Sequence, residues 1–177
     1  MTVQLGGTPG RLAGAAATAV AALLLTACDP APPPGATTTA RTAEADGAPV
    51  LDEHGIGRVR LGLTRAELEL TGEVGADVTT AEFSCSVREL TTAKGWVGVQ
   101  DGVAVEIRVE GGARTPEGLR VGDSRDRMRE VYPDVRQYPH GFVRELPAGT
   151  VLKFFFENAG DTLTSIGLVQ ADRGCLT

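Results

Sequence analysis

Arg60-Leu61-Gly62-Leu63-Thr64-Arg65 in the first half of the chain and Arg120-Val121-Gly122-Asp123-Ser124-Arg125 in the second are the stretches on which the fold turns. Each runs from a basic residue through an apolar one to a glycine, and then to a polar residue suited to capping a helix. A second likeness comes after each of them, Val87-Arg88-Glu89-Leu90 and then Val143-Arg144-Glu145-Leu146. Two short matches in one order and in similar contexts read as a duplicated unit, with one loop of altered length explaining the unequal spacing.

Each unit opens with a helix-start signal. Thr64-Arg65-Ala66-Glu67 is a capping box, in which the Thr64 hydroxyl takes a free amide one turn on and Glu67 reaches back. Leu63 precedes the cap and is placed to staple onto Leu68, and the helix should end near Thr71-Gly72. In the second unit Asp123 or Ser124 caps a helix through Met128 and Val131. Pro133 stops it, because the residue before a proline is pushed out of helical geometry.

Strands come after each helix. Ser86 to Leu90, Trp96 to Gln100 and Val103 to Val109 form one set; Phe142 to Leu146, Val151 to Glu157 and Thr162 to Gln170 form the other. Asp101-Gly102 is a strong hairpin signal, but it leaves the register open. A two-residue turn puts Trp96 on the face of Val103, Val105, Ile107 and Val109. A three-residue loop, Gln100-Asp101-Gly102, aligns Val97 and Val99 with those residues instead. That arrangement leaves Trp96, Gly98, Gln100, Glu106 and Arg108 opposite. The second register is the expected one, since pairing follows the hydrophobic pattern where one face is buried. Leu152, Phe154 and Phe156 should face the helices and Lys153 and Phe155 the other side; on the partner strand either Ile166 and Leu168, or Leu163 and Val169, point inward.

The resulting expectation is an α+β domain over residues 50–177. It comprises two repeated units of short helix plus antiparallel strands, about 55–110 and 115–175, with the helices packed on one face of the sheet and the other face partly free.

Ahead of the domain, Arg11 is followed by the alanine-rich apolar run Leu12 to Leu25. The run is short for a transmembrane helix, which needs about 20 apolar residues, and fits the apolar region of a signal peptide. Leu25-Thr26-Ala27-Cys28 closes it and resembles the lipobox of bacterial lipoproteins. The resemblance implies that residues 1–27 are removed, that Cys28 becomes a lipidated N-terminus, and that a diacylglyceryl group gives lasting attachment where one acyl chain would not. Residues 28–49, with Asp29-Pro30-Ala31-Pro32-Pro33-Pro34 and Thr37-Thr38-Thr39, hold too little apolar material for a core. They read as an extended, disordered spacer, and twenty such residues reach about 60 Å at roughly 3.1 Å each. The address is therefore the extracytoplasmic face of a bacterial cell membrane.

With Cys28 assigned to lipid, an odd count of three cysteines leaves Cys85 and Cys175, and an oxidising location makes a disulfide between them the default. Its loop of about 90 residues stabilises by about 4–5 kcal/mol in the chain-entropy model. The formal charge of -6, more negative once Arg11 is gone, argues against nucleic acid as a partner. Aromatic residues are only 5% of the chain, so each large ring should serve either the core or a contact.

A lipobox, a spacer, and two units built around Val59-Arg60-Leu61-Gly62-Leu63-Thr64-Arg65 and Val121-Gly122-Asp123-Ser124 resemble the beta-lactamase inhibitor protein family. The single unit is similar to the SmpA/OmlA lipoproteins, which include the BamE component of outer-membrane assembly. Members of these families act by binding other proteins, and the resemblance implies that activity here. The chain departs from the inhibitor pattern in its cysteines, since the inhibitor repeats carry their own internal disulfides.

Chemistry-bearing residues are sparse. Cys85 with His140 offers a nucleophile and base, set against a structural disulfide and a loop histidine. Asp52-Glu53-His54 offers three metal-capable side chains, but neighbours in sequence seldom converge on one ion. Ser84, Ser86 and Ser165 lie in no Gly-x-Ser-x-Gly context, and no phosphate-cradling loop or cofactor motif occurs. The leading expectation is a non-enzymatic module that binds a protein or envelope component at a sheet face, through Trp96, Arg108 and Phe155 with Glu106 and Lys153 around them. A thiol-dependent or other hydrolase, and a structural envelope lipoprotein without a discrete ligand, are the rival readings.

Overall fold

The computed structural model describes residues 47–78, 84–157 and 160–175, all within the compact unit Thr42–Thr177. Cys28, the leader and nearly all of the spacer lie outside the described residues. No helix among the described residues is long and apolar enough to cross a membrane.

The chain enters through a two-residue hairpin, β1 (Gly55–Ile56) and β2 (Val59–Arg60), then α1 (Arg65–Thr71). The strands β3 (Val74–Val78), β4 (Ser86–Leu90), β5 (Lys94–Gln100) and β6 (Val103–Gly111) come next. After α2 (Arg125–Val131) come β7 (Arg136–Tyr138), β8 (Gly141–Leu146), β9 (Thr150–Phe156) and β10 (Leu163–Gln170).

Local chemistry accounts for the helices. Thr64 caps α1 with a reciprocal capping box, its hydroxyl accepting from the Glu67 amide at 3.3 Å while the Glu67 carboxylate accepts from the Thr64 amide at 2.8 Å. Gly72, left-handed, closes the helix by donating to the Glu69 carbonyl. Ser124 caps α2 by accepting from the Arg127 amide at 3.1 Å. The glycine ahead of each cap docks onto the sheet in the same way. Gly62 donates to the Ala104 carbonyl at the start of β6, and Gly122 donates to the Leu163 carbonyl at the start of β10, both at 2.8 Å. Positive φ at both positions (84° and 99°) turns the chain from this contact into the helix.

The expected α+β arrangement of repeated units is not what forms. Eight strands join one antiparallel sheet in the order β3-β4-β5-β6-β10-β9-β8-β7, and the described α-helices are two of seven residues each. The fold is mostly antiparallel β. Its reason lies at the centre: β6 and β10 are buried along nearly their whole length and pair with each other, Ile166 opposite Val109 and Leu168 opposite Ile107. That pairing fuses the two halves into one surface, and two-turn helices are too short to form a layer over it.

One main core lies on the helix side. Leu68, Met128 and Tyr132 from the helical segments meet Val97, Ile107, Val109, Leu152, Phe154, Ile166 and Leu168. A smaller cluster of Val87, Trp96, Val105 and Cys175 lies apart from it.

The β5–β6 register also needs correction. The turn has two residues, Gln100 pairs with Val103, and Asp101 and Gly102 take φ of 52° and 81°, as a type I′ turn requires. A bulge between Gly98 and Val99 then shifts the phase, so that Val97 meets Ile107 and Trp96 meets Arg108. Val97, Val99, Ile107 and Val109 reach the main core as expected, but Val103 and Val105 join Trp96 instead. A second bulge, between Leu163 and Ser165, resolves the β10 ambiguity by admitting Leu163 to the main core together with Ile166 and Leu168. Val169 pairs with Glu106.

Candidate functional site

Directly paired residues of antiparallel strands project from the same face, so the register defines the side of the sheet turned from the helices. One row runs Trp96, Arg108, Gly167, Lys153, Val143 and Arg136; the next runs Val87, Gly98, Glu106, Val169, Val151 and Glu145.

At its centre Arg108 donates from Nη2 and Nε to Glu106 Oε1, at 2.6 and 3.1 Å. The two residues are i and i+2 on one strand, hence neighbours on one face. The guanidinium lies 3.8 Å from the Phe155 ring centroid and 5.1 Å from that of Trp96. Tyr138 continues the series, its ring 6.3 Å from Phe155 at 83°. The outcome is a row of three rings with one cation between the first two, Trp96–Arg108–Phe155–Tyr138, across strands from both halves of the sheet. Burial pushes the Tyr138 phenol up to about 12; Arg108 draws it down and Glu106 adds to the rise. Tyr138 is thus neutral at any physiological pH, and its hydroxyl has no hydrogen-bond partner among the described residues.

Trp96, Arg108 and Phe155, expected together, are together. They are less exposed than expected: Trp96 and Arg108 are each 7% accessible, Glu106 is 1%, and Phe155 and Lys153 are half-buried. The cover is the segment after β10. Cys175 is bonded to Cys85 with Cα atoms 5.3 Å apart, and its amide donates to Glu106 Oε2 at 3.0 Å. Both oxygens of the buried carboxylate are therefore satisfied, one by Arg108 and one by Cys175. Gly98 makes the seat, since a Cβ there would overlap Cys175 Sγ and come within 3.1 Å of Cys85 Sγ.

Hollows flank the covered centre. One, of about 470 Å³, is lined by Val87, Glu89, Lys94, Trp96 and Glu110 among others; another of about 470 Å³ is bordered by Arg125, Gln137, Tyr138, His140 and Phe155. A third, of about 390 Å³, lies by Asp52, His54, Glu117 and Arg144. Behind it the buried Tyr132 hydroxyl bonds Glu117, and burial with that bond raises the phenol well above its ordinary value.

The remaining candidates fall elsewhere. Cys85 in its disulfide has no thiol to act as nucleophile, and His140 stands beside Tyr138, ring centroids 6.2 Å apart. Asp52 spends its carboxylate on the amides of His54 and Gly55, at 2.8 and 3.0 Å, which is a turn-forming role. No group of three or more metal-capable side chains gathers among the described residues. Sequence reasoning missed the burial of Glu106, the part played by Tyr138 and the seat at Gly98. A glycine in the middle of an apolar strand was the available signal for a close approach there. No family model, no curated protein and no solved structure matches the chain.

Proposed function

We propose that the chain is a lipid-anchored extracytoplasmic lipoprotein whose domain is a non-enzymatic module binding a protein or envelope component. One observation carries this reading. An aromatic–guanidinium series, covered at its centre, crosses the sheet side turned from both helices, with one hollow beside Trp96 and another at the Tyr138 end that reaches round the sheet edge to Arg125 of α2. Rings locked by a buried cation lose little conformational freedom on contact, and aromatic and arginine side chains dominate binding energy at interfaces. Partner side chains would enter the hollows past Glu89 and Lys94 at one end and Gln137 and His140 at the other. The short motifs around Gly62 and Gly122, which resemble families of protein binders, support the same reading. A diacylglyceryl anchor on Cys28 with a spacer of about 60 Å confines the search to a shell at the membrane surface.

The test is site-specific photocrosslinking in intact cells from Glu89, from His140 and, on α1, from Leu70, which is 83% exposed. One partner captured from both Glu89 and His140, and not from Leu70, is the expected result. Equal capture from all three positions, or none from the sheet side, removes the proposal. Labelled palmitate in the wild type and its absence in Cys28→Ala check the anchor separately.

A further inference from the structure

We infer that the Gly174–Cys175 stretch is a redox-releasable cover over the centre of the sheet face. In the oxidised chain it caps the Glu106–Arg108 pair and the Trp96 side; reduction of the Cys85–Cys175 bond detaches it and lays the ring–cation series open. The use of that surface for binding rests on the proposed function; the uncovering does not.

Among the described residues, the hold on the cover apart from the disulfide is a few hydrogen bonds and the packing of one side chain. Strand pairing ends at Gln170, and the chain then enters a turn in which Arg173 donates to the Gln170 carbonyl at 3.1 Å. Beyond it the seat is made by the Ser84 amide and hydroxyl donating to the Cys175 carbonyl, at 3.0 and 3.2 Å, by the same hydroxyl reaching the Gly174 carbonyl at 3.5 Å, by the Cys175 amide on Glu106, and by Cys175 packing with Trp96 and Val105. Such bonds are individually weak beside a covalent tether, so a few of them do not outlast its loss against chain entropy.

The surface beneath tolerates exposure. Glu106 keeps Arg108 when the Cys175 amide leaves, and water replaces the lost donor. Cys175 fills the space above Gly98 and packs with Trp96 and Val105, while Gly174 approaches Glu106 and Lys153, so its departure opens the middle of the face. The main core on the other side includes neither cysteine.

The chemistry is thiol–disulfide exchange with a dithiol reductant. Its thiolate attacks Cys85 Sγ, the half-buried partner, because Cys175 is fully buried. The Sγ–Sγ bond breaks, Cys175 leaves as a thiolate and takes a proton, and a mixed disulfide forms on Cys85. The reductant's second thiol resolves it, so the chain gains two electrons and two protons and the reductant becomes a disulfide.

Trp96 is the chain's single tryptophan and packs against Cys175, so its accessibility follows the cover. The full chain is measured for acrylamide quenching of Trp96 and for far-ultraviolet circular dichroism, oxidised, after dithiothreitol, and after reoxidation. The expected result is a several-fold, reversible rise in the quenching constant on reduction with the dichroism unchanged. Cys175→Ser should match the reduced wild type without any reductant. Quenching that stays low in both, or that rises only as the dichroism collapses, overturns the cover. Crosslinks from Glu89 and His140 judge the binding reading separately, so failure of one is distinguishable from failure of the other.

Discussion

Replacing Arg108 by methionine keeps most of the side-chain volume and removes the charge. Glu106, 1% exposed, then loses both bonds to Oε1 and keeps only the Cys175 amide on Oε2. Breaking a buried pair by deleting one partner costs about 3–5 kcal/mol, because a charge is left in a medium that solvates it poorly. Loss of the cation from between Phe155 and Trp96 adds about 0.5–2 kcal/mol. Against a typical total of about 5–15 kcal/mol, this single change takes a large share of the stability. The double variant Glu106→Leu with Arg108→Met should recover most of it, since an apolar pair of similar volume often substitutes without loss. A deficit of about 1–3 kcal/mol remains, because the Cys175 amide is then buried with no acceptor. Urea unfolding of the oxidised wild type, both single variants and the double variant closes a thermodynamic cycle. If Arg108→Met costs less than about 1 kcal/mol, or if the double variant is no better than the single, Glu106 is solvated and the buried pair does not hold the sheet centre.

The same geometry sets three further outcomes. Thr64→Ala, which removes one side of the α1 capping box, should cost about 1 kcal/mol in urea unfolding, and Ser124→Ala at α2 about as much. Burial alone would raise Glu73, but the Arg58 amide at 2.6 Å and its guanidinium at 3.1 Å outweigh that and hold the carboxyl below its ordinary range. A depressed folded pKa gives stability that is present above the unfolded carboxylate value and is lost as pH falls through the folded one. The stability difference between wild type and Glu73→Gln should therefore shrink on acidification, and a difference that grows would contradict the assignment. Gly98→Ala fills the seat of Cys175 Sγ, so thiol titration of the folded variant should find Cys85 and Cys175 free where the wild type shows neither.

The parts of this fold legible beforehand are those governed by neighbours in sequence. Thr64 with Glu67 and Ser124 before α2 cap their helices by contacts within one turn, and the branched runs of β5, β6, β9 and β10 announce themselves by composition. The edge strands do not: β3 reads Val-Gly-Ala-Asp-Val and β7 Arg-Gln-Tyr, with little that alternates. The β5–β6 hairpin set two local rules against each other, since Asp101-Gly102 asked for a two-residue turn and the valines for the other phase. A bulge satisfied the turn and kept Val97 and Ile107 inward. The single sheet rests on β6 meeting β10, a contact between distant segments that neither strand encodes alone. At the site, the grouping of Trp96, Arg108 and Phe155 was legible from periodicity. Their burial was not, because it depends on what the Cys85–Cys175 bond carries with it onto Gly98.

The bond between residues 90 positions apart has a mechanical corollary. If the domain is gripped ahead of β1 and beyond Cys175 and pulled, the hairpin β1–β2, α1 and β3 can be drawn out, but everything from β4 to β10 lies inside a closed covalent ring. At about 3.3–3.6 Å per residue, some 300 Å of contour is withheld from extension. A molecule stretched in an optical trap should yield that length only after a reductant is added, so the thiol chemistry of its surroundings would decide how far this protein can be pulled out before it lets go.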